Sequence, residues 1–243
     1  MIAPPASRGE RMAAVKPLPG GLPRHTLVWP VTEAHARLAV QMRDDIGRAA
    51  LSEWFECVRP FVVRRADTSP ARSIDVGGVT VGFPLPPDRG KRRVALTLAR
   101  GDLACHSAPL TLAHAASELP PPWRASLGAL DRDACALGAT LRVFGSAAWQ
   151  ATTGLVYLHG DSDVDILYTP DGRAQLERMF ALFERFERTT GHRIDAEIGF
   201  AGDAAVAWRE WRDARDGSHV LAKARSGVAL LARAELLARL PRP

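Results

Sequence analysis

Val143-Phe-Gly-Ser-Ala-Ala-Trp-Gln-Ala-Thr-Thr-Gly-Leu-Val-Tyr-Leu-His-Gly-Asp-Ser-Asp-Val-Asp-Ile-Leu-Tyr168 is the stretch from which the rest of this chain can be read. A Gly145-Ser146 pair follows a short apolar run. Asp163 and Asp165 then stand two residues apart at the head of a second apolar run. Glycine has no Cβ, so backbone N–H groups at such a turn can approach phosphate oxygens. Carboxylates at i and i+2 of a strand project to one face. Like charges placed there repel, and a hard divalent cation relieves the repulsion. Mg²⁺ is commonly held by one or two carboxylates together with substrate phosphates. The pattern predicts a metal–triphosphate site with Mg²⁺ or Mn²⁺ as its cofactor.

Phosphoryl and nucleotidyl transfer need alignment of the reacting groups and neutralisation of charge, with little covalent help from the protein. Two metal ions roughly 4 Å apart can do both, and such a site takes about three carboxylates. Arg193-Ile-Asp-Ala-Glu-Ile198 reads as a third strand whose acids alternate with apolar residues. Asp195 is the leading candidate for the third acid and Glu197, on the same face, competes with it. The catalytic set is therefore Asp163, Asp165 and Asp195, and the metal set adds Glu197. A lone Asp-x-Asp is often only a solvated strand edge. Here it comes with an apolar-Gly-Ser turn and a further acidic strand.

Seven residues are candidates to bind the cofactor or substrate: Gly145, Ser146, Gln150, Arg64, Arg65, Arg209 and Lys223. Arg64 and Arg65 end an apolar strand, Arg209 lies in Trp208-Arg-Glu-Trp211, and Lys223 ends Val220-Leu-Ala-Lys223. Each such charge is, taken singly, more often part of a solvated face. Ser146 doubles as a plausible helix N-cap, and Trp149 reads as core packing.

The chain has 243 residues, 47% apolar and 24% charged, the balance of an ordinary soluble globular protein. A net charge of +5 favours anionic partners such as a nucleotide or an acidic protein. Three cysteines, widely spaced, argue against a disulfide framework or zinc site and for a reducing, cytoplasmic setting. No apolar run reaches membrane-spanning length, so no membrane partner is expected.

Residues 1–21, rich in Pro, Gly and Ala, read as a flexible lead-in. The run Glu118-Leu-Pro-Pro-Pro-Trp123 suggests a boundary, because consecutive prolines continue neither a helix nor a central strand. The division expected is a small N-terminal α+β domain over 22–120, binding substrate or partner, and a catalytic domain over 121–243. Within the first, Thr32 to Ile46 reads as one helix capped by Thr32. Within the second, Trp123–Leu137, Ala147–Thr153 and Asp171–Thr190 read as helices. Strands are expected at Thr140–Phe144, Asp163–Tyr168 and Arg193–Phe200. Val206–Trp211 and Val220–Lys223 read as short strand or turn elements, and Val228–Leu240 as a C-terminal helix.

On these residues the second half resembles the nucleotidyltransferase superfamily that includes polymerase beta. The resemblance implies an α+β fold there, a mixed sheet with helices on one side. More narrowly, Gly145-Ser-x-x-Trp-Gln with Ser162-Asp-Val-Asp, Ala205-Val-Ala-Trp-Arg-Glu210, Arg24-His-x-Leu-Val-Trp29 and Val62-Val-Arg-Arg-Ala66 is similar to the malonate decarboxylase holo-[acyl-carrier-protein] synthases. These are also called phosphoribosyl-dephospho-CoA transferases. Asp-Ala-Glu replaces the Asp-Gly-Glu expected in the third strand, and Val81-Gly-Phe-Pro-Leu-Pro-Pro87 stands where a Gly-rich basic stretch is expected. The resemblance implies a prosthetic-group transfer. The substrate would be triphosphoribosyl-dephospho-CoA, the acceptor a serine of the apo acyl-carrier subunit of malonate decarboxylase, and the leaving group pyrophosphate, with no nucleic acid involved. In those roles Asp163 and Asp165 would hold Mg²⁺ on the triphosphate. Asp195 would ligate the metal near the incoming hydroxyl, and Gly145 and Ser146 would hold the leaving phosphates. The competing readings are an ATP-dependent adenylyltransferase and a non-catalytic antitoxin or RNA-binding module of the same fold.

Overall fold

A computed structural model describes residues 21–65, 78–224 and 227–241, and the lead-in expected before Leu22 lies almost wholly outside them. The chain divides into two units, one ending at Pro109 and the other beginning at Leu110. That boundary falls ahead of the proline run expected to mark it. Pro120 is instead the N-cap of a helix, with prolines in the first turn. The reason is steric. A helix's first turn has no use for the N–H that proline lacks, and proline's fixed φ already suits it.

The N-terminal unit is an antiparallel sheet in the order β4-β3-β2-β1-β5 with two helices. Its strands are β1 (Leu27–Pro30), β2 (Phe61–Val63), β3 (Val79–Pro84), β4 (Arg93–Leu98) and β5 (Leu103–Ser107). The single helix expected from Thr32 to Ile46 is two, α1 (Ala34–Ala39) and α2 (Asp45–Glu56). Two side chains hold the break. Gln41 pairs with the backbone of Thr97 on edge strand β4, accepting from its N–H at 2.8 Å and donating to its carbonyl at 2.9 Å. Asp44 caps the new helix, accepting from Gly47 N at 2.8 Å. Such a cap is worth about 1 kcal/mol. The unit's aromatic core stacks Trp54 on Phe83 at 4.3 Å, with Phe61 edge-on to Phe83 at 5.4 Å.

The C-terminal unit opens with α3 (Leu112–Glu118) and α4 (Pro121–Ala136), followed by β6 (Arg142–Val143), α5 (Gly145–Thr153) and β7 (Val164–Tyr168). Next come α6 (Arg173–Thr190), β8 (Ile194–Phe200), β9 (Ala204–Ala207) and α7 (Trp208–Asp213). The unit ends with β10 (His219–Ala224), β11 (Gly227–Ala232) and α8 (Arg233–Ala238). Gly154 and Gly191 end α5 and α6 in the left-handed conformation, at φ 73° and 76°. The sheet runs β11-β10-β9-β8-β7-β6 and is antiparallel except for β7 beside β8. The fold is α+β, as expected.

Two elements of this C-terminal unit also differ from the sequence reading. Trp208-Arg-Glu-Trp211 is helical, not strand or turn, because both indoles turn into the core. Trp208 also donates to Ile194 O at 2.9 Å. Val228–Ala232 is a strand rather than the start of a helix. It pairs with β10 from Ala224↔Gly227 to His219↔Ala232, and this pairing outweighs the helix preference of Ala and Leu.

Candidate active site

The face of the β7–β8 pair that meets the core carries Val164, Ile166, Ile194, Ala196 and Ile198, packed with Leu176, Met179, Phe183 and Trp208. Period-two alternation sends Asp165, Asp195 and Glu197 to the other face. Because the pair is parallel, Asp165 stands beside Asp195 and Leu167 beside Glu197. Adjacent strands lie about 4.8 Å apart, so the two aspartates are immediate neighbours. Asp163 precedes β7 and is exposed, with Arg193 Nε 3.8 Å from its Oδ1.

Asp165 is the electrostatic centre. Burial pushes its carboxyl up to about 7, and the charge of Asp195 adds to the effect, followed by smaller contributions from Asp163 and Glu197. One interaction opposes the shift, a hydrogen bond from the backbone N–H of Ser146. That bond fixes the meaning of Gly145. A Cβ there would land on Asp165 Oδ2, and the residue's φ is +61°. The glycine thus lets a carboxylate reach the first turn of α5, which favours anions by its dipole and its unpaired N–H groups. Ser146 is not the N-cap expected of it. Phe144 holds that position without a side-chain cap, and its own N–H bonds Asp165 O at 3.2 Å.

No group of three or more His, Cys, Asp or Glu side chains among the described residues already forms a metal cage. The donor set still suits a hard cation. Three oxygen-bearing side chains share one face, and the carboxyl of one of them, Asp165, is pushed up first by burial and then by the charge of Asp195, a repulsion that a cation would relieve. Mg²⁺ takes the rest of its octahedron from water and substrate phosphate.

Residues 111–234 match the family described as the phosphoribosyl-dephospho-CoA transferase MdcG C-terminal domain, and residues 23–109 match the corresponding N-terminal domain. This chain belongs to that family. Among its relatives is the phosphoribosyl-dephospho-CoA transferase of Xanthomonas campestris pv. campestris, 39% identical over 213 residues. The match covers 88% of this chain and 95% of that protein. A relative of the same name in Bradyrhizobium diazoefficiens is 35% identical over 215 residues, covering 88% and 92%. One in Pseudomonas fluorescens is 32% identical over 213 residues, covering 85% and 90%. No solved structure shows significant similarity. The protein is a transferase, and no helix among the described residues is long and apolar enough to cross a membrane.

The transferase does not bring all the expected binding residues to the acid face. Gln150 braces the loop after α5 instead, its Oε1 accepting from Tyr157 N at 3.0 Å and Leu158 N at 2.9 Å. Arg209 is committed to Glu187 on α6 and lies over the Trp208 ring at 4.6 Å. Glu187 also accepts from Ile194 N at 2.7 Å, so this cluster ties α6 and α7 to the start of β8. Arg64 and Arg65 belong to the N-terminal unit, just after β2, where Arg64 N donates to Thr80 O at 2.9 Å. Lys223 does lie on the acid face. It stands opposite Ala205 and puts its ammonium 3.4 Å from Glu197 Oε1. The same face of the β10–β11 hairpin exposes Leu221, Val228 and Leu230. Sequence reading missed Arg193 as a neighbour of Asp163. Only the register Val164↔Ile194 shows that the residues before each strand fall side by side.

Proposed function

We propose that this chain transfers the 2′-(5″-phosphoribosyl)-3′-dephospho-CoA group from its triphosphate precursor to a serine hydroxyl of the apo acyl-carrier subunit of malonate decarboxylase. The serine oxygen forms a bond to the α-phosphorus. The bond from that phosphorus to the bridging oxygen breaks, and pyrophosphate leaves with its electrons. The observation that carries the reading is the Asp165–Asp195 pairing on an open sheet face, in a chain whose two halves both match the family of that name.

Asp163, Asp165 and Asp195 would hold Mg²⁺ or Mn²⁺ together with triphosphate oxygens. When bound, such an ion neutralises phosphate charge and makes a coordinated hydroxyl more acidic. Asp195 is exposed where Asp165 is half-buried, which suits it to meet a hydroxyl delivered by another protein and to take its proton. The Gly145-Ser146 turn holds the Asp165 carboxylate at the mouth of α5, and the backbone N–H groups of that first turn would also meet phosphate oxygens of the substrate. The net charge of +5 suits a polyanionic substrate and an acidic carrier.

The test is intact-mass spectrometry of apo carrier after incubation with the protein, Mg²⁺, and either the triphosphoribosyl substrate or ATP. The expected product is carrier heavier by the phosphoribosyl-dephospho-CoA group. Labelling from ATP alone would mean an adenylyltransferase and would overturn the proposal.

A further inference from the structure

Asp195 and Glu197 share a face of β8, yet their surroundings differ. Asp195 is exposed and stands beside Asp165. The Glu197 side chain is only 6% exposed and lies beside Leu167, two residues further along. At about 3.3 Å of rise per residue, that puts it some 7 Å beyond the aspartate pair. A buried carboxylate needs a charged partner, and Glu197 has one in Lys223, which reaches across from β10. The lysine side chain keeps 36% exposure. An ammonium has three donors, and Glu197 Oε1 takes one of them. A lysine on an open strand is otherwise a mobile charge that loses rotamer entropy when it binds an anion.

We infer that Glu197 is a positioning residue, not a metal ligand: it holds the Lys223 ammonium on the acid face, where that ammonium takes an oxyanion of the substrate's polyphosphate. The inference rests on the transfer reading above. It narrows the metal set to Asp163, Asp165 and Asp195.

The experiment measures two probes on the full chain, Mn²⁺ alone by electron paramagnetic resonance and inorganic tripolyphosphate by calorimetry. Asp195→Asn weakens Mn²⁺ binding by about tenfold or more. Glu197→Gln and Lys223→Gln leave Mn²⁺ affinity within about twofold, and each weakens tripolyphosphate about tenfold, the loss of one charge-assisted contact. The double variant binds tripolyphosphate no more weakly than Lys223→Gln, because the two residues act as one unit. It also removes both charges at nearly constant volume, so it keeps the test valid if a single change prevents folding, as judged by circular dichroism. A Glu197→Gln protein that loses Mn²⁺ as strongly as Asp195→Asn would make Glu197 a ligand and overturn the inference. So would full tripolyphosphate affinity in Lys223→Gln. Wild-type protein that takes up neither probe would sink the metal reading and this inference together. Binding of both probes in the pattern above, with no mass gain on the carrier, would support the inference and reject the carrier assignment alone.

Discussion

Replacing Asp165 by Asn should stabilise the metal-free protein at alkaline pH while abolishing transfer. The folded state holds Asp165's proton up to about 7, whereas an unperturbed aspartate releases it near 3.8. Across that window the unfolded chain binds fewer protons than the folded one, so stability falls as pH rises. About three pH units at 1.36 kcal/mol each give roughly 4 kcal/mol as the full penalty above neutrality. Asp195, Asp163 and Glu197 share the repulsion, so the recoverable part is about 2–4 kcal/mol. Asn keeps the side-chain oxygen that accepts from Ser146 N and removes the charge. The assay is urea unfolding of wild type and variant with EDTA, at about pH 3 and about pH 8, one below 3.8 and the other above 7. The difference should be near zero at the acidic end and reach its full size at the alkaline end. In the melting of the C-terminal unit this amounts to a rise on the order of 10 °C. Saturating Mg²⁺ should narrow the gap by stabilising wild type alone, by mass action. A pH-independent difference, or a variant less stable at both ends, would refute the argument that buried like charge sets this site.

Gly145→Ala should be destabilised by about 2–4 kcal/mol and lose activity, since the new Cβ strikes Asp165 Oδ2 and φ is +61°; denaturant unfolding and the carrier mass assay check both parts. Gln150→Ala leaves the N–H groups of Tyr157 and Leu158 without their acceptor and should cost about 1–3 kcal/mol, with faster proteolysis between Gly154 and Asp163. Unchanged cleavage there would show that the loop does not depend on this amide. Trp208→Ala should cost about 3–5 kcal/mol, because it empties a fully buried indole site and orphans Ile194 O.

The elements that build the site were the legible ones. The α5 and α6 helices end at glycines in the left-handed conformation, and the alternation of β7 and β8 sorts the acids from the core residues. Both signals lie within a few residues of one another, so local reading finds them. The helix break at Val40–Asp44 was not legible, because Gln41 is held by Thr97, far along the chain. Val228–Ala232 misled for the same reason. Its composition is helical, and only the partner strand β10 makes it a strand. The basic residues divided along this line too. Lys223 reached the acid face, but Arg209 found Glu187 first.

The sequence by itself determined the α+β class, the acid-bearing strands and the family, since each depends on residue identity and short-range spacing. The tertiary structure decided the rest. The parallel register set Asp165 beside Asp195 and left Glu197 to Lys223, and the fold of α5 over β7 turned Gly145 toward a carboxylate. Those outcomes depend on which strands pair and how deeply each acid is buried, and no spacing along the chain contains either.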